Sequence, residues 1–219
     1  NSGPDARGNP VGGRAAWSSA GRLTALGALA QICQIGCANM IAESAYWKED
    51  LARWAQVLER RRSARCWTDR SHARVEKAAM LGCFAIRRLI ESGGRLSDTT
   101  IRLPIQVRTY RRKSDYMTSL NRDQIDRHFA LQRPEKRAIA LRDLVNQFIH
   151  SHVFAVVQTS TGGLYSILVT SDRGRHQTLF EVSATALIRA FRRASRDRPT
   201  RLDGHYDENR RDFVWCARP

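Results

Sequence analysis

The apolar residues between Asp69 and Glu91 constrain this chain more than any other stretch. Val75, Ala79, Cys83, Ile86 and Ile90 fall at helical spacing on one side, and Met80, Phe84 and Leu89 widen the stripe. Such breadth predicts a central, well-buried helix rather than one resting on a core by a narrow face. Thr68 stands at the N-cap position, and Gly93-Gly94 follows the last periodic residue. Just upstream, Trp47, Leu51, Trp54 and Leu58 form a second helical stripe over 44–62, with Ser44 as the expected cap. Its exit, Arg60-Arg61-Arg62, suits the negative end of a helix dipole. Only residues 63–67 separate the two patterns, so they are expected to form a helical hairpin.

The period then changes. Ile101, Leu103, Ile105 and Val107 alternate with polar residues, which predicts a strand over 101–107. Pro104 lacks a backbone donor, so that strand is expected at a sheet edge, open to extension by a protein partner. Asn121 and Gln124 suggest a capped helix to about Phe129, and a further helix is expected over 137–149. Strands over 153–159 and 164–170 flank Ser160-Thr161-Gly162-Gly163, a hairpin loop. A strand over 178–182 leads to Ser183, the expected cap of a helix over 184–196. Adjacent hairpin strands predict an antiparallel sheet, so the class is α+β. The expected architecture is three to four strands packed by the helical hairpin and further helices on one face.

Three segments are expected along the 219 residues. Residues 1–39 read as a disordered or non-native extension with an uncharged helical segment; a secretory signal, a transit segment or a weak membrane span compete with that reading. Residues 40–197 read as one α+β domain, and 198–219 as a basic tail whose end, Phe213-Val214-Trp215-Cys216, has the alternative of docking as an extra strand. Five cysteines, an odd and scattered set without C-x-x-C, argue against a disulfide framework and for a reducing, cytoplasmic setting.

Charge is the one unusual feature of the composition. Lys+Arg is 37 against Asp+Glu 21, a net +16, and only four of the 37 are lysines. Such an excess favours polyanions, and arginine is the better phosphate ligand. Four clusters could carry the contact. Arg189, Arg192, Arg193 and Arg196 share one face of the last helix; Arg108, Arg111, Arg112 and Lys113 interleave with Tyr110 and Tyr116; Arg133, Lys136 and Arg137 form a third; Arg173 and Arg175 sit with His176 in a turn. Each also reads as a solvated surface. No phosphate loop, nucleophile elbow or zinc-finger spacing occurs, so a cofactor is not expected and an enzyme is disfavoured. His150-Ser151-His152 would place two imidazoles on one side of an extended strand, a weak metal alternative. The leading expectation is sequence-tolerant binding of DNA or RNA. The alternative is a non-catalytic protein-interaction module. No membrane contact is expected.

Overall fold

The computed structural model describes residues 43–113, 116–209 and 211–219. The readings of residues 1–39, with Cys33 and Cys37, lie outside the described residues. Among the described residues no helix is long and apolar enough to cross a membrane. Cys66, Cys83 and Cys216 are free thiols.

Two long helices open the fold, α1 over Ser44–Arg62 and α2 over Asp69–Glu91. A short α3, Asp98–Ile101, precedes strand β1, Pro104–Arg111. Then come α4 (Ile125–His128), β2 (Glu135–Ala140), α5 (Leu141–Ile149), β3 (Ser151–Gln158), β4 (Leu164–Ser171), β5 (Thr178–Ser183) and α6 (Ala184–Arg196). Strands β6 (Arg201–Asp207) and β7 (Asp212–Arg218) close the chain. The class is α+β, with a five-stranded antiparallel sheet in the order β2-β1-β5-β4-β3 and a separate β6–β7 hairpin.

Helix starts obey local chemistry. Thr68 caps α2 by accepting from the Ser71 amide at 3.2 Å, and Ser183 caps α6 by accepting from Ala186 at 3.1 Å. At α1 the cap is Glu43 rather than Ser44; its carboxylate accepts from the Ala45 amide at 2.8 Å, where a negative charge suits the positive end of the helix.

Four expectations are corrected. Strand β1 starts at Pro104, since 98–101 is helical, and it is interior rather than an edge: β2 lies on one side and β5 on the other. Pro104 is tolerated because it is the first strand residue, and pairing with β5 begins only at Val107. Residues 137–140 leave the expected 137–149 helix and join 135–136 as β2, paired from Pro104↔Ala140 to Thr109↔Glu135. The Asn121–Phe129 helix shrinks to α4, because the Asn121 side chain accepts from the Thr118 amide and closes a turn instead. The C-terminal stretch pairs with itself as β6–β7 rather than trailing as a tail.

The long helices α1, α2, α5 and α6 share one core with one face of the sheet. Leu51, Leu58, Ile86, Leu89, Leu144, Phe148, Leu187 and Phe191 meet Ile105, Val107, Ile167, Val169 and Val182. Burying each large aliphatic or aromatic side chain contributes roughly 1.5–3 kcal/mol. The stripe on α2 is less uniform than its apolar residues suggest. Phe84 and Leu81 are each 45% exposed, while Ala78, Ala79, Gly82 and Ala85 are buried. At Gly82 a small residue is required because the Phe191 ring of α6 lies against the α2 backbone there. A Cβ on Gly82 would collide with the Phe191 ring.

One polar knot fastens the helical layer. The buried Lys48 of α1 donates from Nζ to the Asp197 carbonyl at 2.7 Å. Burial holds that ammonium below the usual lysine range, and Arg198 adds to the effect. The Asp197 carboxylate accepts from the Ser97 amide at 2.7 Å and from its hydroxyl at 2.9 Å. The opposite sheet face is covered only in part: Met117, Ile125, Phe129 and Leu131 pack on Tyr110, Val153, Leu168 and Leu179.

Candidate nucleic-acid interface

The connection between α1 and α2 is held from outside by the β3–β4 turn. Trp67 donates its indole N–H to the Gly162 carbonyl. Gly162 sits at φ +90°, in the left-handed region, and Cβ atoms on Gly162 or Gly163 would collide with the carbonyl oxygens of Arg65 and Arg62. Two glycines in that turn thus allow loop 63–67 to lie on the sheet, which fixes the exit of α1 and the entry of α2.

This arrangement brings two separate stretches of sequence together. Arg60 and Arg61 leave α1, and Arg74 and Lys77 rise on α2, around a floor of Trp54 and Val57; together they line a cavity of about 540 Å³. The Arg61 guanidinium lies over the Trp67 ring, 5.8 Å from its centroid, and Trp67 packs on His72 at 4.6 Å. Arg65 and Arg70 are exposed in the connection and the first turn of α2. None of Arg60, Arg61, Arg65, Arg70, Arg74 and Lys77 pairs with a carboxylate among the described residues. An unpaired, exposed guanidinium keeps its donors for an incoming anion.

The arginines expected from sequence to form the interface are placed differently. On α6, Arg189 and Arg196 are exposed and carry no ion pair among the described residues, but Arg192 holds Glu59 at 3.3 Å and Arg193 donates to Thr100 at 3.3 Å. Arg108 lies on the opposite face of the sheet. Arg111 pairs with Glu135 at 2.7 Å, and Lys113 donates to the Asp126 carbonyl at 2.6 Å. Arg112 and Arg175 are brought together: Arg112 stacks 4.8 Å over Tyr116, Tyr116 meets His176 edge-on at 5.6 Å, and Arg175 donates to His176 at 3.1 Å. Burial pushes the His176 pKa down, and Arg175 and Arg112 push it further. Arg175 also pairs with Asp172 at 3.0 Å, while Arg173 is exposed at the same turn. The expected clusters therefore lie on different sides of the sheet.

Arg108 is committed to a network on the bare part of the sheet. The buried Glu181 accepts from Ser166 Oγ at 2.6 Å and from the Tyr110 hydroxyl. Arg108 lies 3.6 Å from that carboxylate and reaches Tyr165 at 3.4 Å. Burial, then the bond to Glu181, push the Tyr110 pKa up to about 12. Arg108, Tyr165 and Glu181 border a cavity of about 410 Å³ that Gln106, Val107, Lys136 and Ser183 complete. Glu181 was absent from the sequence reading; its signal is a lone acid inside Thr-Leu-Phe-Glu-Val-Ser.

His150 and His152 do not share a site. His150 ends α5 and borders a cavity with Asp172 and Arg173, whereas His152 lines another with Glu76 and Asp123. Among the described residues no group of three His, Cys, Asp or Glu is placed to hold a metal ion. No protein-family model matches the chain, and no curated protein or solved structure is significantly similar to it.

Proposed function

We propose that this protein binds nucleic acid with little sequence preference, through the end of the α1–α2 hairpin. One observation carries the reading: Arg60, Arg61, Arg74 and Lys77, without carboxylate partners among the described residues, line one cavity around Trp54 and Val57, with Arg65 and Arg70 exposed on the connection between the same two helices, on a chain of net charge +16. Phosphates would displace counterions from Arg60, Arg61, Arg65, Arg70, Arg74 and Lys77, a contact that carries no base information. Trp54 and Trp67 offer apolar surface to sugar or unpaired base. Arg189 and Arg196 supply a second, weaker basic surface. Free thiols at Cys66, Cys83 and Cys216 fit a reducing, cytoplasmic setting.

The test is titration of the full chain, stripped of bound nucleic acid, with labelled single- and double-stranded DNA and RNA at several salt concentrations. Affinity is expected to fall steeply with salt, with a logarithmic slope of about 0.9 per phosphate contacted on duplex DNA and about 0.7 on single strands. No binding at low salt, or binding indifferent to salt, overturns the proposal.

A further inference from the structure

The two edges of the sheet are built unlike one another. The β2 edge carries Glu135, Lys136 and Arg137, all exposed. The β3 edge reads Ser-His-Val-Phe-Ala-Val-Val-Gln, with no fixed charge and no proline. Its inner side pairs with β4 from Ser151 to Gln158, and among the described residues no strand pairs with its outer side. Alternate residues of such a strand present unpaired N–H and C=O groups, a template for one more strand.

That outer side borders a groove. Five consecutive β3 residues, Ser151–Ala155, line a cavity of about 500 Å³ whose far walls are Glu76 and Met80 of α2, Arg122 and Asp123 of the loop entering α4, and Ile125 at the start of α4. A strand, a helix and a loop thus bound a trough beside a free backbone edge, where an added strand would lie about 4.8 Å from β3. His152 lines the trough, and its Nε2 is buried without a hydrogen-bond partner, while its Nδ1 lies 3.6 Å from Asp172. A buried imidazole nitrogen left unpaired calls for a partner from whatever fills the groove.

We infer that this groove binds an extended peptide segment of another protein, added to β3 as a sixth strand. Backbone pairing with β3 supplies the affinity common to any extended chain, and the walls select side chains. Met80 and Ile125 offer apolar contact. Glu76 and Asp123 outnumber the single cation Arg122, so the groove is locally acidic on a basic protein, and it selects a peptide with a lysine or arginine between apolar residues. A second copy of the chain fits less well, because it brings another body of +16 against the first.

The experiment pans a phage-displayed library of random linear decapeptides against the full chain. It then measures synthetic versions of the enriched peptides by fluorescence polarisation and by amide exchange. The expected result is a family of alternating apolar residues with one basic position. Binding should fall at least ten-fold in the Glu76→Arg/Asp123→Arg variant, whose substituted side chains are exposed, with the fold checked by circular dichroism. Exchange of amides within 151–158 should slow when peptide is bound. The inference is overturned if no peptide family is enriched, or if the peptides ignore the charge reversal and leave 151–158 unprotected. Protection of that edge in the free monomer, by residues 1–42, also overturns it. So does its protection only in a concentration-dependent dimer seen by analytical ultracentrifugation, which would assign the edge to a second copy.

Discussion

The end of the α1–α2 hairpin and the outer face of α6 carry similar numbers of arginines but use them differently. On α6, Arg192 is held by Glu59 and Arg193 by Thr100, so half of that four-residue face is tied into the fold. At the hairpin end, Arg60, Arg61, Arg74 and Lys77 form no ion pair among the described residues and are set around Trp54, with Arg61 over Trp67. A count of charges in a helix therefore says little about its availability. What matters is whether the fold supplies acids in reach, because a paired guanidinium must first give up its partner.

The largest expected effect breaks the comparison directly. Replacing Arg61, Arg74 and Lys77 with Ala should weaken nucleic-acid binding on the order of 100-fold at about 0.1 M salt and flatten the salt slope. The matched triple change of Arg189, Arg193 and Arg196 should cost under about five-fold by the same counterion argument; equal losses would make the two surfaces one interface. Next, Gly163→Val drives a side chain into the Arg62 carbonyl and should lower stability in urea by about 1–3 kcal/mol, as over-packing does. It should also weaken binding by shifting loop 63–67, whereas unchanged binding would free the site from the turn beneath it. Asp197→Ala strips the Ser97 amide and hydroxyl of their buried acceptor. It should lower stability by about 1–3 kcal/mol, yet leave the affinity of the folded protein intact. The smallest effect is alkaline. Tyr110 is neutral in the fold with its pKa raised from 10.0 to about 12, so its contribution is complete below pH 10 and is lost as pH rises toward 12. Tyr110→Phe should flatten that loss in a pH series of urea melts.

Much of the scaffold was legible where local chemistry and burial agree. Thr68 and Ser183 cap the helices they were expected to cap, and α2 and α6 run between the residues their periodicity indicates. Legibility failed where distant pairing decides. Lys136-Arg137-Ala138-Ile139-Ala140 has the residues of a helix, but β1 offers those backbone groups a ladder, and tertiary pairing overrides propensity. Pro104 signalled an edge, although at the first position of a strand it forfeits nothing. The hairpin cations were half visible. Arg60 and Arg61 had a sufficient local explanation in the helix dipole, and Arg74 and Lys77 stand too far along the chain to suggest a cluster until α1 and α2 fold back on each other.

The bond from Lys48 to Asp197 joins residues 149 positions apart. At the usual pace of about 5–20 residues per second, a ribosome that has released α1 needs roughly seven to thirty seconds to deliver its partner. Through that interval Lys48 stands in water as an ordinary ammonium, and its side of α1 stays charged while α6 is still being made. The same side chain that ends buried in the helical layer is thus solvated until its partner has been made. Because its contact closes so long a loop, it should form after the rate-limiting step, so its loss should speed unfolding more than it slows folding.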